Sequence, residues 1–224
     1  MIPWEEGMLE VASGVHVVDQ PLNFLGLEIG ARMTVLQLDG GVLVHSPVNI
    51  SPDSIRGLGE PRWVLAPNKF HHLFVGPWME TGLEGWAAPG LPQKRSDLEF
   101  IGVVESGTNP FGSDVEVLAL SCFSLSNEVT LYHKPSRTLV VSDLVFNLPK
   151  STPWLTRAAM WCTCAYPGCR TSILERVGMK RKIAREEIRT ILDYDFERVI
   201  MAHGDIIEHD AKAAFAQAYS WLNL

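Results

Sequence analysis

The sequence is short of cysteine, of basic charge and of long apolar runs, and each shortage removes a class of protein. Four cysteines in 224 residues are too few for a small disulfide-stapled scaffold. Cys122 stands alone, while Cys162, Cys164 and Cys169 lie close together. That trio could form a thiolate metal site, but a structural zinc takes four ligands on paired knuckles and no fourth is evident. The alternative is that Cys162 and Cys164 are small residues on a partly buried helix. Nineteen lysines and arginines against 26 acidic residues leave a formal net charge of -7, which argues against sequence-independent nucleic-acid binding. No apolar run approaches the ~20 residues of a membrane helix. The start, Met1-Ile2-Pro3-Trp4-Glu5-Glu6, lacks the basic opening and apolar core of a signal peptide. A soluble, cytoplasmic protein with neither nucleic acid nor membrane as partner is expected. No repeat or low-complexity linker divides the chain, and 46% hydrophobic residues suits a single domain over residues 1–224.

What is present is a strand-rich first part and a helical last third. Residues 9–18 give two strand-like pieces around Ser13-Gly14. Met33–Leu38 and Val42–Ser46 flank Asp39-Gly40-Gly41, a strong hairpin signal. Ser51 and Pro52 open a short helix. Arg62–Ala66 is then a strand that breaks at Pro67 into the polar tip Asn68-Lys69-Phe70-His71-His72-Leu73. Strands follow over Gly85–Ala88, Glu99–Glu105 and Asp114–Leu120. A second hairpin joins Glu128–His133 to Thr138–Phe146.

After Ser151-Thr152-Pro153, a helix carries Trp154, Ala158, Trp161 and Ala165 on one face, a spacing that suits core or a homodimer contact. With Met160, the two tryptophans could also line a substrate mouth. Residues 171–194 read as helix, with Ala184, Ile188, Ile191 and Leu192 at helical spacing. Val199–Ala202 is a late strand, and Asp210 caps a last helix through Trp221. Strands first, helices outside and a late returning strand give an α/β (α+β) sandwich. In such folds ligands sit beyond the carboxyl ends of strands, where the tips at His71-His72, Asp143 and His203 fall.

This order resembles the metallo-β-lactamase superfamily. Thr138-Leu-Val-Val-Ser-Asp143-Leu-Val-Phe146 is similar to the strand ending in that family's bridging aspartate. Val199-Ile-Met-Ala-His203-Gly204 is similar to the strand ending in its last histidine. The resemblance implies an αββα four-layer sandwich. The family's first motif, T-H-x-H-x-D-H, is degraded here. Laid without gaps, Asn68 and Phe70 take the first two histidine positions, His72 the aspartate and Leu73 the third histidine. A shift of one residue returns His72 to the third histidine. The middle histidine is missing, with only Cys122 nearby. The resemblance is thus to a degenerate branch of unknown function.

Phe for His removes a ligand of the first metal site; the second could survive on His72, Asp143 and His203. Two imidazoles and a carboxylate suit zinc with a water, or non-haem iron. His71 is the alternative histidine, and Asn68 could add a carbonyl oxygen. His45 and Glu128 are candidates for supporting these ligands, whereas His16, His133 and His209 read as surface or loop histidines. Ser121, Ser124 and Ser126 have no evident base or elbow motif. One zinc or iron ion is the implied cofactor, with the ion-free state an equal alternative. The functions that follow are a hydrolase with one residual metal site acting on an unknown small molecule, or a metal-free protein that binds a small molecule or a partner.

Overall fold

The computed structural model describes residues 7–224, so the stretch Met1–Glu6 lies outside the described residues. In chain order the elements are β1 (Leu9–Ala12), β2 (Val15–Gln20), β3 (Asn23–Phe24), β4 (Leu27–Glu28), β5 (Ala31–Leu38), β6 (Gly41–His45), a 3-10 turn (Pro52–Leu58), β7 (Pro61–Ala66), α1 (Val75–Met79) and β8 (Glu84–Ala87). Then come α2 (Leu91–Lys94), β9 (Gly102–Val103), β10 (Val115–Ala119), β11 (Val129–His133), β12 (Thr138–Val140), α3 (Trp154–Cys162) and α4 (Ile173–Gly178). α5 (Arg181–Asp193), β13 (Arg198–Ile200), α6 (Ala211–Ala218) and a 3-10 turn (Ser220–Leu222) complete the chain.

Two sheets face each other. One runs β1-β2-β5-β6-β7-β8-β9 and the other β10-β11-β12-β13. Strand alternation explains why both bury both faces. Leu36, Leu43, Trp63 and Leu65 point inward to meet Val129, Leu131, Val140 and Ile200 of the second sheet. The intervening residues Met33, Val35, Val44 and Val64 point outward and are covered by Ile55, Val75, Trp78 and Leu91. On the far side, Leu139, Val141 and Val199 pack under Ala184, Ile188, Ile191, Phe215 and Tyr219. The layer order is therefore helix, sheet, sheet, helix, the four-layer sandwich expected.

The connections place the functional tips together. β6 pairs β7 in parallel, and β12 pairs β13 in parallel. Beyond the carboxyl ends of these four strands lie His45-Ser46, Pro67-Asn68, Ser142-Asp143 and Ala202-His203. Glu128 joins them from just before β11. One end of the sandwich thus collects polar side chains from both sheets.

Several elements depart from the sequence reading. β9 is only two residues of the expected Glu99–Glu105 strand, and the expected loop 89–98 includes α2. The helix over 171–194 is two helices, because Met179 and Lys180 are extended between α4 and α5. Asp210 takes φ 50° and makes no side-chain cap. Trp154 and Trp161 are exposed and contribute nothing to the core. Cys162 is exposed and Cys164 sits at φ 62° past the end of α3. His16 and His133 are buried rather than on the surface. His16 Nε2 lies 3.2 Å from Gln37 Oε1, and His133 Nδ1 lies 2.7 Å from Ser136 Oγ.

α4 begins with a reciprocal cap. Ser172 Oγ accepts from Glu175 N–H at 3.4 Å, and Glu175 Oε2 accepts from Ser172 N–H at 2.7 Å. Burial pushes the Glu175 carboxyl up to about 8, against the lowering effect of the Ser172 hydrogen bonds. Since the ordinary value is 4.5, folding takes up a proton between those two pH values, so this group's contribution to stability falls as pH rises through that window. Glu175→Gln keeps an oxygen for Ser172 N–H and cannot ionise. Its melting temperature should gain on the wild type steadily from pH 5 to pH 8; a constant difference across the series would contradict a raised Glu175 carboxyl.

Candidate metal centre

The loop after β7 is wound by Asn68. Its buried Oδ1 accepts the backbone N–H of Phe70 and of His71, each at 2.8 Å. This Asx-type turn makes successive side chains leave in different directions. Phe70 and Leu73 face solvent, so neither plugs the centre. His71 turns inward and His72 turns away.

His71, Asp143 and His203 converge, each offering a ligand atom within 4.8 Å of the others. Both His71 Nε2 and His203 Nε2 lie 3.3 Å from Asp143 Oδ1. The other Asp143 oxygen, Oδ2, accepts from Asn68 Nδ2 at 2.8 Å. His203 Nδ1 lies 2.8 Å from the Gly30 carbonyl oxygen. A carbonyl can only accept, so Nδ1 carries a proton and donates it there. His71 Nδ1 lies 2.8 Å from Ser46 Oγ, and the Phe146 ring stacks on His203 at 5.8 Å with an interplanar angle of 8°. These partners hold both imidazoles with Nε2 turned toward the carboxylate.

The structure therefore corrects the expectation that His72 joins Asp143 and His203. His72 Nδ1 lies 3.0 Å from the Arg95 guanidinium, which also donates to the His72 carbonyl at 3.2 Å. Burial and the neighbouring charges of Lys94 and Arg95 lower its pKa. Asn68 is corrected too, because its carbonyl oxygen is spent on the loop and its amide N–H2 faces Asp143. It braces the carboxylate and offers the centre no oxygen. His45 is buried at the end of β6, and burial and the charge of His71 lower it to about 3. Its Nε2 makes no hydrogen bond among the described residues, so it lines the centre as a neutral ring without holding any of the three.

Glu128 supports the site from behind. Oε1 accepts Ser142 N–H at 2.6 Å and Oε2 accepts Asp143 N–H at 2.8 Å. Burial and the adjacent Asp143 charge push Glu128 up to about 7. Burial would also raise Asp143, but the His71 charge and the hydrogen bonds from His203 and His71 hold it well below the usual carboxylate range. For His71, burial opposes protonation, yet Asp143 outweighs it and the ring is raised above its ordinary value. Sequence reasoning missed Ser46, Phe146 and the Gly30 carbonyl. Only the last has no side-chain signal at all; Ser46 is adjacent to His45, and Phe146 ends the Asp143 stretch.

The donor set fits a small divalent ion. Tetrahedral zinc holds nitrogen and oxygen ligands at about 2.0–2.2 Å, which sets the ligand atoms about 3.3–3.5 Å apart. The two 3.3 Å separations from Asp143 Oδ1 match that edge, and all three ligand atoms lie within 4.8 Å of one another. Each histidine also has its second nitrogen held by an oxygen, the arrangement that orients metal-bound imidazoles. A cavity of about 640 Å³ is lined by Gly30, Arg32, Ala202 and Gly204 among others, and by none of His71, Asp143 and His203.

The fold is the αββα sandwich of solved metallo-β-lactamases. A metallo-β-lactamase from Erythrobacter litoralis, with beta-mercaptoethanol in its active site, aligns with a TM-score of 0.71 over 99% of this chain and 98% of its own, at 10% identity. DIM-1 metallo-β-lactamase exposed to ceftazidime gives 0.69 over 97% and 96% at 13% identity. FIM-1 from Pseudomonas aeruginosa, in its mono-zinc form, gives 0.64 over 97% and 96% at 9% identity. No protein-family model and no curated protein matches the sequence.

Two substitutions probe the supports. Glu128→Gln leaves one of two buried backbone N–H groups facing an amide N–H2, which should cost about 1–3 kcal/mol in a denaturant titration. Gly204 has φ 104°, and a Cβ there would run into the Asn147 carbonyl. Gly204→Ala should therefore destabilise by more than about 1 kcal/mol and disturb the neighbouring His203; unchanged midpoints would show that these contacts do not hold the centre.

Proposed function

We propose that this chain is a metal-dependent hydrolase that holds one divalent ion, zinc or iron, on His71, Asp143 and His203. The observation that carries the reading is the convergence of His71 Nε2 and His203 Nε2 on one oxygen of an ionised carboxylate, Asp143 Oδ1, each at 3.3 Å. Ser46 and the Gly30 carbonyl hold the far nitrogen of each ring, so both Nε2 atoms are aimed at the space a cation would share with that oxygen. FIM-1, one of the structural relatives, is described in a mono-zinc form, so a single ion on this fold has a precedent.

When bound, such an ion supplies Lewis acidity and makes water a usable nucleophile near neutral pH. The protein's residues do the positioning. Asp143 stays ionised and is fixed by Asn68 and by Glu128 through its backbone. Ser46 and Gly30 hold the two imidazoles in one orientation. Glu128, with its oxygens on the Ser142 and Asp143 amides, keeps the loop that presents Asp143 in place. Esters, thioesters and lactams are the substrates to screen first.

Elemental analysis after loading with zinc, iron or manganese should find about one ion per chain. His71→Ala, Asp143→Ala and His203→Ala should each reduce this to background while a circular-dichroism melt still shows a folded protein. His72→Ala should leave the ion in place. Absence of ion under every loading would end the hydrolase reading, and loss of ion in His72→Ala alone would move the site.

A further inference from the structure

We infer that the face built by α3 and α4 docks the protein on an anionic membrane surface. Charge is sharply segregated along this chain. Residues 150–182 hold seven lysines and arginines against one acid, Glu175, a net of +6. Since the whole chain is -7, the remainder carries -13. The same segment exposes large apolar side chains. Trp154 is 73% exposed and Trp161 67%, and Leu155, Leu174 and Val177 are exposed as well. Trp154 and Trp161 are seven residues apart on α3, two turns along one face. Ile173 N–H donates to the Thr163 carbonyl at 2.7 Å, which joins the start of α4 to the end of α3.

Between the two helices lies a recess of about 440 Å³ whose lining includes Trp161, Tyr166, Arg170 and Arg176. Arg170 Nε donates to the Pro167 carbonyl at 2.8 Å and Arg176 Nε to Thr171 Oγ1 at 3.0 Å. Neither guanidinium is paired with a carboxylate among the described residues, so both keep terminal N–H groups for an outside anion. Two anchored arginines beside a tryptophan and a tyrosine match a phosphate headgroup at the level where aromatic rings settle in a bilayer. The exposed tryptophans and leucines supply the apolar part of an interfacial contact.

A second copy of the chain is the less favoured occupant. A two-fold contact through this face would set one +6 segment against another, and like charges across an interface oppose association. No helix among the described residues is long and apolar enough to cross a membrane, so the contact is with the surface only. The absence of a spanning run, on which the sequence expectation of no membrane partner rested, does not bear on it.

The test is co-sedimentation of the full chain with vesicles of phosphatidylcholine alone and of phosphatidylcholine mixed with phosphatidylserine. Binding should appear with the mixed vesicles only, fall as salt is raised, and drop about fivefold for each of Arg170→Gln and Arg176→Gln. Trp154→Ser should weaken it at every salt concentration, and the tryptophan emission of the wild type should shift to the blue on binding. Equal binding to both vesicles, no binding to either, or unaltered binding by the arginine variants would overturn the inference. So would sedimentation velocity showing a dimer that Trp154→Ser and Trp161→Ser dissolve, since that assigns the face to a second copy.

Discussion

A carboxylate held inside a protein must be compensated, and the open end of this sandwich is organised around that requirement at Asp143. One of its oxygens takes the Asn68 amide and the other faces two imidazole nitrogens. Its backbone N–H is taken by a second buried acid, Glu128, which adds negative charge to the same small volume. No lysine or arginine pairs with either acid among the described residues. The nearest fixed cation chemistry is therefore whatever sits on the histidines. A proton can supply it through His71, whose pKa is raised, and a divalent ion can supply more. Burial first, and then the adjacent Asp143 charge, push Glu128 up to about 7, because a second full charge in the same low-dielectric volume is costly.

The layers were legible in the sequence because strand alternation is a strong signal. Met33–Leu38 and Val42–His45 around Asp39-Gly40 form the hairpin they suggest, and Val199–Ile200 returns to the core beside Leu139–Val140. Asp143 and His203 were legible for a related reason: each ends a buried strand, and a strand end has only one place to go. The choice between His71 and His72 was not legible. Adjacent residues in a turn diverge, and which one faces inward depends on the Asn68 side chain closing on two backbone amides. Such side-chain-to-backbone bonding leaves no periodicity to read. The exposure of Trp154 and Trp161 was hidden for another reason, since a helical stripe of large apolar residues reads the same whether it meets a core or solvent.

The Asn68 loop has a physical logic of its own. An Asn at position 68 cannot serve the loop with its oxygen and a metal with the same oxygen. It does the former, and its N–H2 then points to Asp143 as a donor. A histidine there could not make both sets of contacts. Phe70 is turned to solvent and does not fill the site. The loop has thus become a brace for Asp143, while His71, one residue along, presents Nε2 to the same carboxylate oxygen that His203 faces.

Phe146 ties this centre to the basic face. Its ring stacks on His203, and its backbone pairs with Arg170 through two 2.9 Å hydrogen bonds. The segment leaving Asp143 therefore touches His203 with one side and the rim of the arginine recess with the other. His203 is held on its other sides by the Gly30 carbonyl, by Asp143 and by the neighbouring His71 ring. His203 and Arg170 thus share Phe146 as a common neighbour, one against its ring and the other against its backbone.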